Sequence, residues 1–257
     1  MTKHNIATQI WPFRKAYGED LPETLKKIKS IGFKGVELCR WFDWTDLFDK
    51  WSTEEIKAAC EDTDLEAVSV HIPYYMIDKA RLEELVSFCE IQGMKYAIVA
   101  SLPKTCFNSK RDLLAVAEKL NQAAVLLSSS GLRIGYHCHQ EDFKTVDGEI
   151  PWEILFDNTT TDVVMQMDTG NAMSGGADPV HYLKKYPGRA ALIHLKEYQD
   201  HGPVEAIGDG KVDWDRVLEI SKKLHQPSWY IIEQEEKQFD PWDSARKSLS
   251  FLRAMGW

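Results

Sequence analysis

The chain has 257 residues, 44% of them apolar and 11% aromatic, and a formal net charge of −9. That length suits one large domain, and the acid excess is the wrong sign for a surface that tracks nucleic-acid phosphates. No run of about 18 uncharged apolar residues occurs, so no membrane span is expected, and the polar start Met1-Thr2-Lys3-His4-Asn5 does not read as a secretory leader, which points to a cytoplasmic protein.

Apolar runs of strand type recur at Asn5–Ile10, Gly35–Leu38, Ala67–Ile72, Tyr96–Ala100, Leu132–His137, Val163–Asp168, Ala190–Leu195 and Trp229–Glu233. Several are short and near-continuous, as parallel strands covered on both faces require. Amphipathic stretches lie between them: Leu21, Leu25 and Ile28; Leu82, Leu85, Val86 and Cys89; Leu113, Val116, Ala117, Leu120, Ala124 and Leu127; and Ala245, Leu249, Leu252 and Met255. Each set shares one helical face. Ser52 and Glu55 form a capping box, Asp178-Pro179 and Asp240-Pro241 mark helix starts, and Gly32, Gly93 and Gly131 mark helix ends. The first strand is followed by Ile10-Trp11-Pro12-Phe13, which cannot make a glycine-rich phosphate turn. Eight strands with helical connections and no such turn predict a single (β/α)8 barrel, a TIM barrel, over residues 1–257. The five cysteines, Cys39, Cys60, Cys89, Cys106 and Cys138, are odd in number and lack C-x-x-C spacing, so reduced thiols are expected.

Six strand runs end on a metal-ligand type: Glu37, His71, His137, Asp168, His194 and Glu233. Each step between neighbours is about one βα unit, or a whole number of them. All six therefore converge on the C-terminal mouth, where such barrels keep their chemistry. Four of them come from successive strands, 5 to 8. Burying several ionisable groups together is costly unless they share a cation or a network. A mixed imidazole and carboxylate set suits Mn²⁺, Co²⁺, Zn²⁺ or Fe²⁺, and Mg²⁺ less well. One divalent ion, with Mn²⁺ first among them, is the expected cofactor.

At these residues the chain resembles the sugar phosphate isomerase/epimerase family of the xylose isomerase-like barrels. The resemblance is carried by Gly135-Tyr136-His137-Cys138-His139-Gln140-Glu141-Asp142-Phe143, by Asp168-Thr169-Gly170-Asn171, by His194-Leu195-Lys196-Glu197 and by Gly208-Asp209-Gly210-Lys211-Val212-Asp213-Trp214. It implies one divalent metal held from strands 5 to 8, with Asp168, His194 and Glu233 matching three positions. The better-known epimerases have Glu on strand 5. Here His137, His139 or Glu141 takes that place, with His137 preferred as the ligand and His139 as a proton carrier.

The chemistry implied is removal of a proton next to a carbonyl through a metal-stabilised enediolate, on a sugar or polyol. Glu233 and His139 are the candidate bases, and Lys196 a candidate oxyanion partner. His71 and Glu37 are expected to bind sugar hydroxyls, and Trp11 and Trp41 to stack on a sugar face. Arg189, at the other end of strand 7, reads as structural. No cluster of Arg or Lys is visible at the mouth, which favours an unphosphorylated substrate. An isomerase or epimerase is the leading expectation. A lyase of the same fold, an inosose-type dehydratase or a 3-keto-glycoside eliminase, stands second, and an endonuclease IV-like phosphodiesterase is remote. No nucleic-acid or membrane partner is expected, and a homo-oligomer is left open.

Overall fold

Eight parallel strands hydrogen-bond in sequence order and close into a ring, β1 pairing with both β2 and β8. The structure is a computed structural model that describes residues 4–225, 227–235 and 237–257. The strands are β1 (Ile6–Gln9), β2 (Gly35–Cys39), β3 (Glu66–Ile72), β4 (Tyr96–Val99), β5 (Arg133–His137), β6 (Val164–Asp168), β7 (Leu192–Leu195) and β8 (Trp229–Ile232). Every predicted strand is present, most shorter by a residue or two. Around them run α1 (Arg14–Glu19), α2 (Leu21–Ile31), α3 (Thr53–Thr63), α4 (Leu82–Gln92), α5 (Lys110–Leu127), α6 (Pro151–Asp157), α7 (Thr169–Ser174), α8 (Pro179–Lys185), α9 (Trp214–Leu224) and α10 (Pro241–Ala254). The fold is a (β/α)8 TIM barrel. No described helix is long and apolar enough to cross a membrane.

The local signals act as expected. Ser52 caps α3 and Glu55 reaches back to the Ser52 N–H at 2.8 Å. Asp178 and Asp240 accept from the first N–H groups of α8 and α10. Gly32 and Gly93 close α2 and α4 at φ of 110° and 75°, which costs glycine little. On α5 the stripe is buried as expected except that Ala123, not Ala124, is fully covered. All five cysteines are free, and all but Cys106 are buried.

Two packing zones result. The main one fills the space between strands and helices. The smaller one, Ala7, Val68, Ile98, Val164, Leu192, Trp229 and Ile231, plugs the barrel axis at its N-terminal end. Gly135 stands over this plug. A β-carbon there would sit 2.6 Å from Ile98 Cδ1 and 2.8 Å from the Val164 carbonyl, so the motif admits no side chain. Above the plug the inward residues turn polar, because alternate residues of each strand face the axis.

A candidate metal centre at the barrel mouth

The polar zone has two levels, set by strand register. Gln9, Glu37 and Ser69 lie side by side on β1, β2 and β3. Glu37 is wholly buried. Its Oε1 accepts from Ser69 Oγ at 2.6 Å and Gln166 Nε2 at 2.7 Å, and its Oε2 accepts from Gln9 Nε2 at 2.7 Å and faces His194 Nε2 at 2.6 Å. Every acceptor site on this carboxylate is occupied by protein. The expectation that Glu37 binds a sugar hydroxyl is therefore corrected: it lies beneath the site and holds it up.

The upper level carries His71, His137, Asp168, His194 and Glu233. His137, Asp168, His194 and Glu233 each offer one ligand atom, all within 4.8 Å of one another. His194 Nδ1 lies 3.0 Å from Glu233 Oε2 and 3.8 Å from Asp168 Oδ2. His137 Nε2 lies 4.0 Å from the same Glu233 oxygen. A second possible group, His71, His137 and His194, shares two of these residues, so the two groups overlap at one place.

Two observations say this set fits a cation. The first is an orphan atom. Asp168 Oδ1 caps α7 by accepting from Asn171 N at 2.7 Å, but Oδ2 is buried with no hydrogen-bond partner among the described residues. Burial, the largest influence, pushes the Asp168 carboxyl up to about 7 against the pull of Lys196 and His194, the response of a carboxylate whose charge is incompletely compensated. The second is histidine orientation. His137 Nδ1 faces Gln166 Oε1 at 2.9 Å, which requires the proton on Nδ1 and leaves the Nε2 lone pair aimed at the cluster. His194 presents Nε2 to Glu37, which directs Nδ1 to Asp168 and Glu233. Burial works against charge on His194, but Glu37 and Glu233 outweigh it and lift its pKa to about 10. Burial likewise opposes charge on Glu233, and the His194 hydrogen bond overrides it, holding the carboxyl below its usual range. The donor set, two imidazoles and two carboxylates with their outer nitrogens tied down, is one that borderline divalent ions prefer.

Gln166 is the residue that sequence reading passed over. Its Oε1 accepts from His71 Nε2 at 2.7 Å as well as from His137, and its amide donates to Glu37. It lies two residues before Asp168 on β6, so the alternation rule that placed Asp168 at the axis places Gln166 there too. Gln166→Met keeps the volume and removes three hydrogen bonds. We expect metal affinity to fall about 10- to 100-fold, read by titration with a chelator; an unchanged affinity would rule out this supporting role.

The other strand-5 candidates fall outside the cluster. Glu141 is exposed and bonded to Gln140 and Lys144. His139 leans over the mouth with its ring 5.0 Å from that of His137. Its Nδ1 is buried with no hydrogen-bond partner among the described residues, and its backbone N–H is fixed by Asp142 Oδ2 at 2.7 Å. Burial and then Lys196 lower its pKa, so its imidazole is neutral near pH 7. Lys196 is almost covered and pairs with Glu235 at the rim. Gly170 allows this packing: a β-carbon there would sit 2.8 Å from both the Glu197 carbonyl and Lys196 Cγ.

The mouth itself is a pocket of about 170 Å³. Trp11, Phe42 and Trp44 wall one side, with the Trp11 and Trp44 rings 5.1 Å apart edge to face. His71, His139, Glu233 and Glu235 face them. Trp41 does not line this pocket, contrary to expectation. Its backbone takes φ of 62°, and its ring turns away to pack on Phe88 of α4 at 5.2 Å. Arg189 is structural: its guanidinium donates to the Phe156, Thr159, Thr160 and Val163 carbonyls.

Residues 25–255 match the family described as xylose isomerase-like TIM barrels. The chain belongs to this family. Among curated relatives of this xylose isomerase-like barrel is an inosose dehydratase of Histophilus somni, 25% identical over 92% of this chain and 83% of the relative. An inosose dehydratase of Bacillus thuringiensis is 28% identical over 54% of this chain, and that match spans about half, 53%, of the Bacillus protein's length. Among solved structures, a sugar phosphate isomerase/epimerase of Parabacteroides distasonis superposes with a TM-score of 0.82 at 21% identity, covering 99% of this chain and 97% of the other. The IolI protein, solved with a bound zinc atom, superposes with a TM-score of 0.77 at 12% identity over 97% of each chain.

Proposed function

We propose that this barrel is a divalent-metal-dependent enzyme that removes the proton next to the carbonyl of a keto-sugar or keto-polyol and then expels a group from the neighbouring carbon. His137, Asp168, His194 and Glu233 would hold the ion, which supplies Lewis-acid polarisation of the carbonyl. The observation that carries the reading is His139. It is an imidazole whose ring makes no hydrogen bond among the described residues, neutral near pH 7, in a pocket lined also by His137 and Glu233 of the candidate ligand set. Such a group can accept a proton from the substrate. His71 donates through Nε2 to Gln166, so its other ring nitrogen is available to accept from a substrate hydroxyl. Lys196, held by Glu235, presents a fixed positive charge toward the carboxylate side of the site and stabilises negative charge that develops on the substrate oxygen. Trp11 and Trp44 offer aromatic faces to the apolar side of a sugar ring and keep water out.

Elimination is preferred over epimerisation for a chemical reason. Epimerisation needs proton carriers on both faces of one carbon, and the strand-5 position that would supply a second carboxylate holds His137, which points into the ligand set. The names of the sequence relatives, inosose dehydratases, support the same choice. Isomerisation, with His139 returning the proton to the adjacent carbon, is the second reading, favoured by the freedom of that ring. The test incubates metal-loaded protein with inososes, 3-keto-glycosides and ketohexoses in deuterated water. Loss of water or an aglycone in the mass spectrum, with deuterium exchanged into the α-carbon of recovered substrate, is the expected result. Deuterium with an unchanged mass formula assigns isomerisation. No exchange into any of these ketones would defeat both.

A further inference from the structure

Beside the mouth lies a second cleft, of about 480 Å³. Its walls are Phe13 from the turn after β1 with Arg14 and Lys15 at the start of α1, and Glu235 and Lys237 after β8 with Trp242 at the start of α10. These come from opposite ends of the chain and meet because β1 pairs with β8 to close the ring. Glu235 lines both the cleft and the mouth, so the two spaces abut.

Size is the first argument. The mouth, at about 170 Å³, is below the roughly 300–1,000 Å³ of ordinary small-molecule sites, whereas the cleft falls within that range. A substrate larger than a single small ring would extend into it. Charge is the second. In a chain with 40 acids against 31 bases, this cleft gathers three cations. Among the described residues its one acid, Glu235, is already paired with Lys196, and no carboxylate of the described residues lies within ion-pair distance of Arg14, Lys15 or Lys237. Arg14 is also braced. Its Nη1 donates to the Trp11 carbonyl at 2.9 Å and its guanidinium lies 4.5 Å from the Trp11 ring centre, which leaves Nη2 and Nε for a ligand. Trp242 is fixed by Phe13 at 4.3 Å and by the Lys27 ammonium at 4.0 Å. A planar guanidinium fork sharing one cleft with two ammonium groups is suited to an oxyanion.

We propose that this cleft binds an oxyanion, a phosphate ester or a carboxylate, carried by the end of the substrate remote from the reacting carbonyl. The proposal rests on the keto-sugar reading above and names its substrate class as anionic. It also reverses the expectation of an unphosphorylated substrate, whose ground was that no cluster of Arg or Lys is visible at the mouth.

Calorimetric titration of the full-length protein, metal-free and metal-loaded, with glucose 6-phosphate, glucuronate and glucose tests it. At low salt at least one anionic sugar is expected to bind about tenfold tighter than glucose, the scale of one charge-assisted hydrogen bond. The better of the two assigns phosphate or carboxylate, and high salt should erode the preference. The double variant Arg14→Gln/Lys237→Gln should remove it, and in turnover should raise KM for an anionic ketone far more than it lowers kcat. Equal binding of the three sugars, or a preference that survives in the double variant, would overturn the proposal. An anion preference without turnover of any ketone leaves the cleft standing and defeats the reaction; turnover confined to neutral ketones does the reverse.

Discussion

His194→Ala and Asp168→Asn are both expected to cost the protein its metal, yet to move the stability of the metal-free fold in opposite directions. Wild-type protein should carry about one equivalent of divalent ion by elemental analysis, and either variant less than about a tenth of that, since each removes one of the four proposed ligands. The stability contrast follows from the charges. His194 stands between Glu37 and Glu233 at 2.6 and 3.0 Å, in a region almost closed to water. Without it two buried carboxylates face each other uncompensated, and breaking a buried pair in this way costs about 3–5 kcal/mol. Asp168 is the reverse case. Its Oδ2 accepts no hydrogen bond among the described residues, and burial outweighs Lys196 and His194 to push its pKa up to about 7. At pH 8 the folded metal-free protein therefore holds a charge that the unfolded chain would solvate better. Asparagine keeps the volume and the Oδ1 cap on Asn171 while deleting that charge. A gain of about 1–3 kcal/mol is expected, the usual cost of a buried group left unsatisfied. Urea unfolding in the presence of a chelator measures both. Full metal content in both variants would end the ligand assignment; equal destabilisation by both would mean that Asp168 has a partner in the metal-free fold after all.

The physics that makes this site was partly legible in the sequence. Strand periodicity with a charged last residue says that a side chain faces the barrel axis, and it placed Asp168, His194 and His137 there correctly. It does not say at what height. Glu37 and His71 both end strand runs, yet Glu37 aligns with Ser69 while His71 aligns two residues further along, with Cys39. Register, fixed by the stagger of a closed barrel, puts Glu37 one layer down among donors and Cys39 at the mouth. The same geometry hides Gln166, whose neutral side chain gives no charge signal although its position on β6 was plain. Loop side chains were legible in kind but not in place. Trp41 was legible as an aromatic following β2, but whether it or Trp44 reaches the pocket depends on the left-handed backbone at Trp41, which no residue type there announces. The cationic cleft was invisible for a topological reason, because only ring closure brings Lys237 beside Arg14.

His139→Asn should lower kcat about 100- to 10,000-fold, the range for loss of a positioned proton carrier, without changing metal content. The substitution is mild on structural grounds. The ring makes no hydrogen bond among the described residues, and the contact that fixes the turn, the His139 N–H to Asp142, belongs to the backbone. Metal should stay because His139 is absent from the ligand cluster. KM should change little if the ring acts only on the transferring proton. A pH profile separates this from a steric effect. Burial and the Lys196 charge lower the His139 pKa from 6.5, so a base role predicts that kcat/KM falls on the acid side, below pH 6.5, as the ring takes up a proton. In the variant that limb should flatten. Exchange of the α-proton into deuterated water should disappear in parallel, since it reports abstraction directly whether or not a leaving group departs. A loss smaller than about tenfold, with the acid limb intact, would move the base role to Glu233. That carboxylate would then have to act while ligating, and the same profile measured on Glu233→Gln with metal restored would decide it.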